Sequence, residues 1–237
     1  MKPLVLAIQF MTRLPLPNIA AEARHMALAI RWFPVAGLLV GLCIAGAAWV
    51  GLQRDPWAGS LLALLAWTGI TGALHLDGLG DIADAAGAAH ADSSRISSVL
   101  ADPHIGSFGV TAIALQLVAK LILLRLALDM PTFGALVAVP VLARVGPLFW
   151  TLTLPPLHQG IGSTFGAGAT WKAFAVWLLA FSTAAWFLGP ALLAALPAIA
   201  LWSLWLHRCI GGISGDGHGA GIELVETITL ATVVFLR

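Results

Sequence analysis

Residues 33–52 run for about 20 positions without one charged side chain, the length an α-helix needs to cross the roughly 30 Å hydrocarbon core of a bilayer. Arg54-Asp55-Pro56 ends the run. Comparable stretches recur at 57–76, about 107–128, about 133–154, 171–188, 190–206 and 222–236. In lipid, every backbone polar group must be satisfied within its own segment, so runs of this length are helices. The pattern predicts an all-α fold: a polytopic integral membrane helix bundle with about seven transmembrane helices. Hydrophobic residues fill 59% of the 237 positions and mean hydropathy is +0.94, well above the roughly 45–50% apolar usage of a soluble domain. No polar linker, low-complexity tract or internal repeat divides the chain, so residues 1–237 are read as one membrane-embedded domain.

Smaller features refine this frame. Residues 3–11 are apolar but span only about half a bilayer, and Pro15 and Pro17 stop any helix there. The start carries no cleavable signal: the apolar run 1–10 is too short and Thr12-Arg13-Leu14-Pro15 is no small-residue cleavage site. Residues 20–31 are polar enough to lie outside the hydrocarbon. Gly37, Gly41 and Gly46 would allow close helix packing. Read as one helix, 171–206 would reach about 50 Å, so a hairpin at Gly189-Pro190 is more economical. Cys43 and Cys209 form no motif and are read as packing residues. The tryptophans are mostly read as interface anchors.

Charged residues are only 10% of the chain, which makes their placement informative. His75-Leu76-Asp77-Gly78-Leu79-Gly80-Asp81-Ile82-Ala83-Asp84 packs three aspartates into eight residues. If the stretch is helical, Asp77, Asp81 and Asp84 fall at i, i+4 and i+7, on one face. Like charges stacked so repel by several tenths of a kcal/mol per pair unless a cation sits among them. The patch opens a polar interval, 77–106, closed by Asp102-Pro103-His104-Ile105-Gly106-Ser107-Phe108-Gly109. A second polar segment, 207–221, is glycine-rich and carries Gly215, Asp216 and His218, and the last span begins with Glu223 and Glu226 on one face at i and i+3.

Lys120 and Arg144 lie inside spans, where a charge costs roughly 2.5 to 3.5 kcal/mol on insertion scales and marks a site or a paired structural ion. The remaining Lys and Arg set the orientation. With the N-terminus inside, the inner side holds Lys2, Arg13, Arg24, Arg31, Arg95, Lys172 and Arg208, and the outer side holds Arg54, Arg125 and Arg237. This favours a cytoplasmic N-terminus. The same topology brings Asp77, Asp81, Asp84, Asp92, Asp102, Asp216, Glu223 and Glu226 to one membrane face. The net charge of +1 and the lack of a basic run give no sign of nucleic acid.

Carboxylates without cysteine ligands suit Mg²⁺, Mn²⁺ or Ca²⁺ better than Zn²⁺, and Mg²⁺ commonly takes substrate phosphate oxygens as further ligands. Glycine-rich turns would let backbone N–H groups approach those phosphates. Arg13, Lys120 and Arg144 could neutralise the remaining charge. These parts describe metal-assisted phosphoryl or nucleotidyl transfer, in which positioning and electrostatics supply most of the catalysis. Each part also has a plainer reading: a solvated loop for the aspartates, helix packing for the glycines, an interfacial residue for His75, and a snorkelling or paired lysine for Lys120.

Taken in order, the aspartate patch, the Asp102–Gly109 motif and Gly211-Gly212-Ile213-Ser214-Gly215-Asp216 resemble the cobalamin synthase family, the adenosylcobinamide-GDP ribazoletransferases. Phe10-Met11-Thr12-Arg13-Leu14-Pro15-Leu16-Pro17 and Phe33-Pro34 resemble that family's opening. The resemblance covers about residues 8–230. It implies a bacterial inner-membrane enzyme, active site facing the cytoplasm, in which the ribose 3′-hydroxyl of α-ribazole or its 5′-phosphate attacks the cobinamide-linked phosphorus of adenosylcobinamide-GDP. GMP leaves, and Mg²⁺ is required. It further implies Asp77, Asp81 and Asp84 as metal ligands, with Asp102 or Asp216 completing the site and Glu223 and Glu226 as second-rank ligands. Arg13, Lys120 and Arg144, with the turns at Gly106 and Gly215, are implied phosphate contacts, and Asp84 or His75 would take the hydroxyl proton. Partners are the two small-molecule substrates and the lipid bilayer, and self-association into a homo-oligomer is compatible with the chain.

Ile82 and Ala85 stand where Thr and Gly are usual in that family, His104 where a basic residue often follows Asp-Pro, and Gly217-His218 where larger residues are common. Every carboxylate is retained. A CDP-alcohol phosphotransferase also uses spaced aspartates with Mg²⁺, but its Ala-Arg pair after the first Asp-Gly and its later GxxxDxxxD are missing. A cation-coupled transporter would hold its acidic residues within spans, whereas most of these fall at or beyond span ends.

Overall fold

The computed structural model describes all of the chain except residues 21, 92–95, 131–132, 158–163 and 237, so Asp92, Arg95 and Arg237 lie outside the described residues. The fold is helical: α1 Lys2–Met11, α2 Ala23–Ala29, α3 Phe33–Leu52, α4 Pro56–Thr71, α5 Leu74–Ala91, α6 Ile96–Val99, α7 Ser107–Ala127, α8 Phe133–Ala143, α9 Gly146–Thr153, α10 Trp171–Leu188, α11 Ala195–Cys209 and α12 Gly215–Phe235. Among the described residues, six helical stretches are long and apolar enough to cross a membrane, and a seventh if the bent pair α4–α5 counts as one span.

Local chemistry explains most of the boundaries. Asp55 caps α4, its carboxylate accepting the N–H groups of Trp57 (2.8 Å) and Ala58 (3.0 Å), and Pro56 occupies the first turn, where no N–H is needed. Gly189, at φ +130°, ends α10 before the segment leading into α11, so 171–206 is two candidate spans and not one helix. Residues 23–31 are helical. From Ala23 onward they run through one tight turn at Ile30–Trp32 straight into α3, giving one helical rod to Leu52.

Packing between helices rests on backbone approach. A Cβ on Gly37 would sit 2.5 Å from the Pro140 carbonyl oxygen and one on Gly41 would strike the Val137 carbonyl, so α3 and α8 touch backbone to backbone. Gly46 faces open space instead. Both cysteines are free and exposed rather than packed. Three of the ten tryptophans are core residues and not anchors: Trp150 is fully buried, with its indole N–H on the Ile199 carbonyl (2.9 Å), Trp202 donates to the Gly217 carbonyl (2.9 Å), and Trp67 lies beneath Lys120.

Three stretches depart from the sequence expectations in ways that shape the site. The second span stops at Thr71, and α5 leaves α4 at 82°. The aspartate patch itself is helix through Ala91, as its one-face spacing required, and not a solvated loop. The glycine-rich residues 215–221 are the first two turns of α12, capped by Ser214, whose hydroxyl accepts the Gly217 N–H (3.0 Å). The fourth span is interrupted at Arg144 and Val145, between α8 and α9, where Pro147 cannot donate a ladder hydrogen bond.

Candidate functional site

The α4–α5 break places the acidic face. Gly72, at φ +61°, and Ala73, at φ +58°, turn the chain, and Ala73 N–H still reaches the Thr68 carbonyl at 3.0 Å. A second carbonyl at this end of α4 is satisfied from outside: the Arg13 N–H donates to the Ile70 carbonyl (2.7 Å), pairing an orphan helix-end acceptor. Phe10 stacks on Phe33 (5.7 Å), and Phe165 meets both edge-on, so the end of α1 is fixed. The Arg13 side chain then crosses directly over Gly72 and makes no ion pair among the described residues.

On α5, Asp77 is exposed while Asp81 and Asp84 are half-buried. Gly78 brings α5 against α12, since a Cβ there would lie 2.8 Å from the Asp216 carbonyl oxygen. The negative charges of Asp216, Asp77 and Asp84 all bear on Asp81. Asp216 itself lies in the first turn of α12, where the helix dipole favours a carboxylate, and Gly215 beside it is exposed. So the first and third motifs meet across one helix contact. The second motif meets them through Asp84, whose two oxygens accept the N–H groups of Gly106 (2.7 Å) and Gly109 (2.9 Å) at the start of α7. Asp102 turns to its own loop: it accepts the His104 N–H (3.0 Å) and lies 2.8 Å from that ring. Those bonds, the backbone one first, hold the Asp102 carboxyl below its usual range.

The remaining charged candidates pair with one another in the core. Lys120 Nζ lies 2.7 Å from Glu223 and 2.6 Å from Glu226, and Arg144 lies 2.8 Å from the other Glu226 oxygen. All four side chains are at most 4% exposed, and the two cations balance the two carboxylates. Arg144 also donates to the Pro140 carbonyl (2.9 Å) and approaches His75 Nδ1 (3.5 Å). His75 is buried, with Nε2 unpartnered among the described residues. His218 is buried over Trp150. Sequence reasoning missed Gln116, whose amide donates to the Glu223 carbonyl (3.0 Å), its carboxylate (2.8 Å) and Thr227 (2.7 Å). The signal was present, because Gln116 and Lys120 are i and i+4 in the apolar middle of the helix.

A model of the cobalamin-5-phosphate synthase family matches residues 3–234. The chain belongs to that family. It is 53% identical over 238 residues to an adenosylcobinamide-GDP ribazoletransferase of Novosphingobium aromaticivorans, covering 98% of this chain and 96% of the relative. It is 48% identical to the protein of that name from Thiobacillus denitrificans (97% and 94% covered) and 49% identical to that of Laribacter hongkongensis (100% and 98%). No solved structure matches. The family match to cobalamin-5-phosphate synthases takes in all three acidic motifs and both the short α1 and the final span, so the whole site described above lies within it.

The donor set at Asp77, Asp81 and Asp216 is hard oxygen, the chemistry Mg²⁺ prefers. Among the described residues no three His, Cys, Asp or Glu side chains come together closely enough to grip an ion alone. Mg²⁺ does not require that, since one or two carboxylates with water and substrate phosphate oxygens suffice. The residues present fit a cation shared with a phosphorylated substrate.

Proposed function

We propose that this protein joins α-ribazole or its 5′-phosphate to adenosylcobinamide-GDP, releasing GMP and forming adenosylcobalamin or its 5′-phosphate. The observation that carries the reading is the meeting of the α5 aspartates with Asp216 across Gly78, in a chain that matches the cobalamin-5-phosphate synthase family over residues 3–234. In the reaction, a P–O bond forms from the ribose hydroxyl to the cobinamide-linked phosphorus, and the anhydride bond to GMP breaks. The hydroxyl proton passes to the carboxylate edge of the cluster, where Asp77 is the exposed member.

One or two of Asp77, Asp81 and Asp216, with water and substrate phosphate oxygens, would hold Mg²⁺, which when bound neutralises phosphate charge that builds up as the anhydride breaks. Arg13 is the site cation with no carboxylate partner among the described residues, which supports it as a diphosphate contact, and the exposed Gly215 N–H at the start of α12 supports a second. Lys120, Arg144, Glu223 and Glu226 then serve as a neutral frame behind the site. The active face opens toward the cytoplasm, as the Lys and Arg distribution favours.

The test is GMP release by purified protein in lipid vesicles given adenosylcobinamide-GDP and α-ribazole. Wild type releases GMP with Mg²⁺ and none with EDTA. Asp81→Asn loses the activity while inserting and melting normally. Folded wild type that releases no GMP refutes the reaction, and near-normal turnover in Asp81→Asn refutes the metal assignment alone.

A further inference from the structure

Asp84 differs from the other members of the acidic face, because both of its oxygens are already engaged. They receive the N–H groups of Gly106 and Gly109 from 22 and 25 residues away, at the end of a 21-residue helix whose own N-cap residue, Gly106, has no side chain to offer. The first N–H groups of a helix have no partner within it, and the dipole there favours a carboxylate. The fit depends on glycine at both positions. A Cβ on Gly106 would stand 2.5 Å from Asp84 Oδ1, and one on Gly109 would strike Oδ2 and come 2.9 Å from the Gly80 carbonyl oxygen.

We infer that Asp84 is a positioning residue and not a metal ligand or base: it clamps α5 to the first turn of α7 and so sets the rotation of α5 about its own axis. Residues 77, 81 and 84 share one helix face, so fixing the direction of Asp84 fixes that of the other two. The opposite end of the same helix is held by the approach of Gly78 to Asp216 and of Gly219 to His75. Between these two anchors Asp77 and Asp81 have one azimuth available, the one that turns them toward Asp216. The clamp also occupies the Gly106 N–H, so that N–H is not open to a phosphate.

This inference rests on the proposed transferase reaction for its kinetic readout, and hydrogen exchange tests the clamp separately. Asp84→Asn, nearly isosteric, keeps one acceptor and loses the other. Gly109→Ala breaks the same contact from the α7 side, by crowding Asp84 Oδ2, while every carboxylate is kept. In both variants, amide protection in the first turn of α7 falls, and GMP release per folded molecule drops about ten- to a hundred-fold, the scale of an ångström-sized misplacement. Half-saturating Mg²⁺ stays at the wild-type value. The double variant is no slower than the slower single, since one contact cannot be lost twice. The inference is overturned if half-saturating Mg²⁺ rises in Asp84→Asn but not in Gly109→Ala, if the two effects multiply, or if Gly109→Ala turns over like wild type. Should Asp84→Asn fail to fold, Gly106→Ala replaces it with the same expectations. An inactive wild type with intact α7 protection refutes the reaction and leaves the clamp standing.

Discussion

Glu226 holds two cations at once, Lys120 through one oxygen and Arg144 through the other, and all three side chains are at most 3% exposed. Removing one partner of a buried ion pair leaves an uncompensated charge, which typically costs about 3–5 kcal/mol. Glu226→Gln therefore lowers stability by that order, measured as a reduced melting temperature in detergent. Glu226→Gln combined with Arg144→Met removes one charge of each sign and leaves the Lys120–Glu223 pair intact, so it costs less than the single change. A double variant less stable than Glu226→Gln would show that Arg144 acts by packing and not by charge. Sequence alone marked Lys120 and Arg144 as ions that needed a reason to be in a span, but it offered phosphate and carboxylate partners equally. The choice depended on contacts 82 to 106 residues apart in the chain, which periodicity within a helix does not encode.

At the scale of elements, the break between α4 and α5 converts an apolar span into a carrier of carboxylates. Two consecutive residues with φ near +60° make it, and only the first is glycine. A non-glycine residue in that region is strained by about 1–2 kcal/mol. Gly72→Ala adds that strain and pushes the Arg13 side chain aside, so it lowers both the melting temperature and the apparent affinity for adenosylcobinamide-GDP. Ala73→Gly removes strain but gains unfolded-state entropy, for a net stabilisation of at most about 1 kcal/mol. Equal melting temperatures for wild type and Gly72→Ala would mean that the break is relaxed. The spans and the one-face spacing of the three aspartates were legible, because hydropathy and the 3.6-residue period act locally. The helical start of α12 was not. Its glycines resembled a flexible loop, yet Gly221 provides a flat surface for Trp150 and Trp202, whose ring atoms would lie 2.5 Å from a Cβ there, and that use of glycine needs a partner helix to be seen.

For the molecule as a whole, the charge count along the chain and the meeting of the motifs point to one sidedness. Arg54 and Arg125 lie toward one end of the bundle, where Leu128 packs on Gly59 near the α3–α4 turn, and the starts of α7 and α12 lie toward the other with the aspartates. The two native cysteines report on this without new residues. Cys209 ends α11 on a groove shared with Leu79 and Ala86 of α5, on the aspartate side, whereas Cys43 lies in the middle of α3 and is exposed on a surface that would face lipid. A membrane-impermeant thiol reagent should therefore label Cys209 in inside-out vesicles and not in right-side-out ones, and label Cys43 in neither. Cys209→Ser should abolish the signal. Labelling of Cys209 from the outside would invert the bundle and put the aspartates on the far side from cytoplasmic nucleotide, which no rearrangement of site residues could reconcile with a substrate carrying GDP. Labelling of Cys43 from either side would mean that α3 borders water along its length, and the outer ring of the bundle would have to be redrawn with a second copy of the chain or a channel against it.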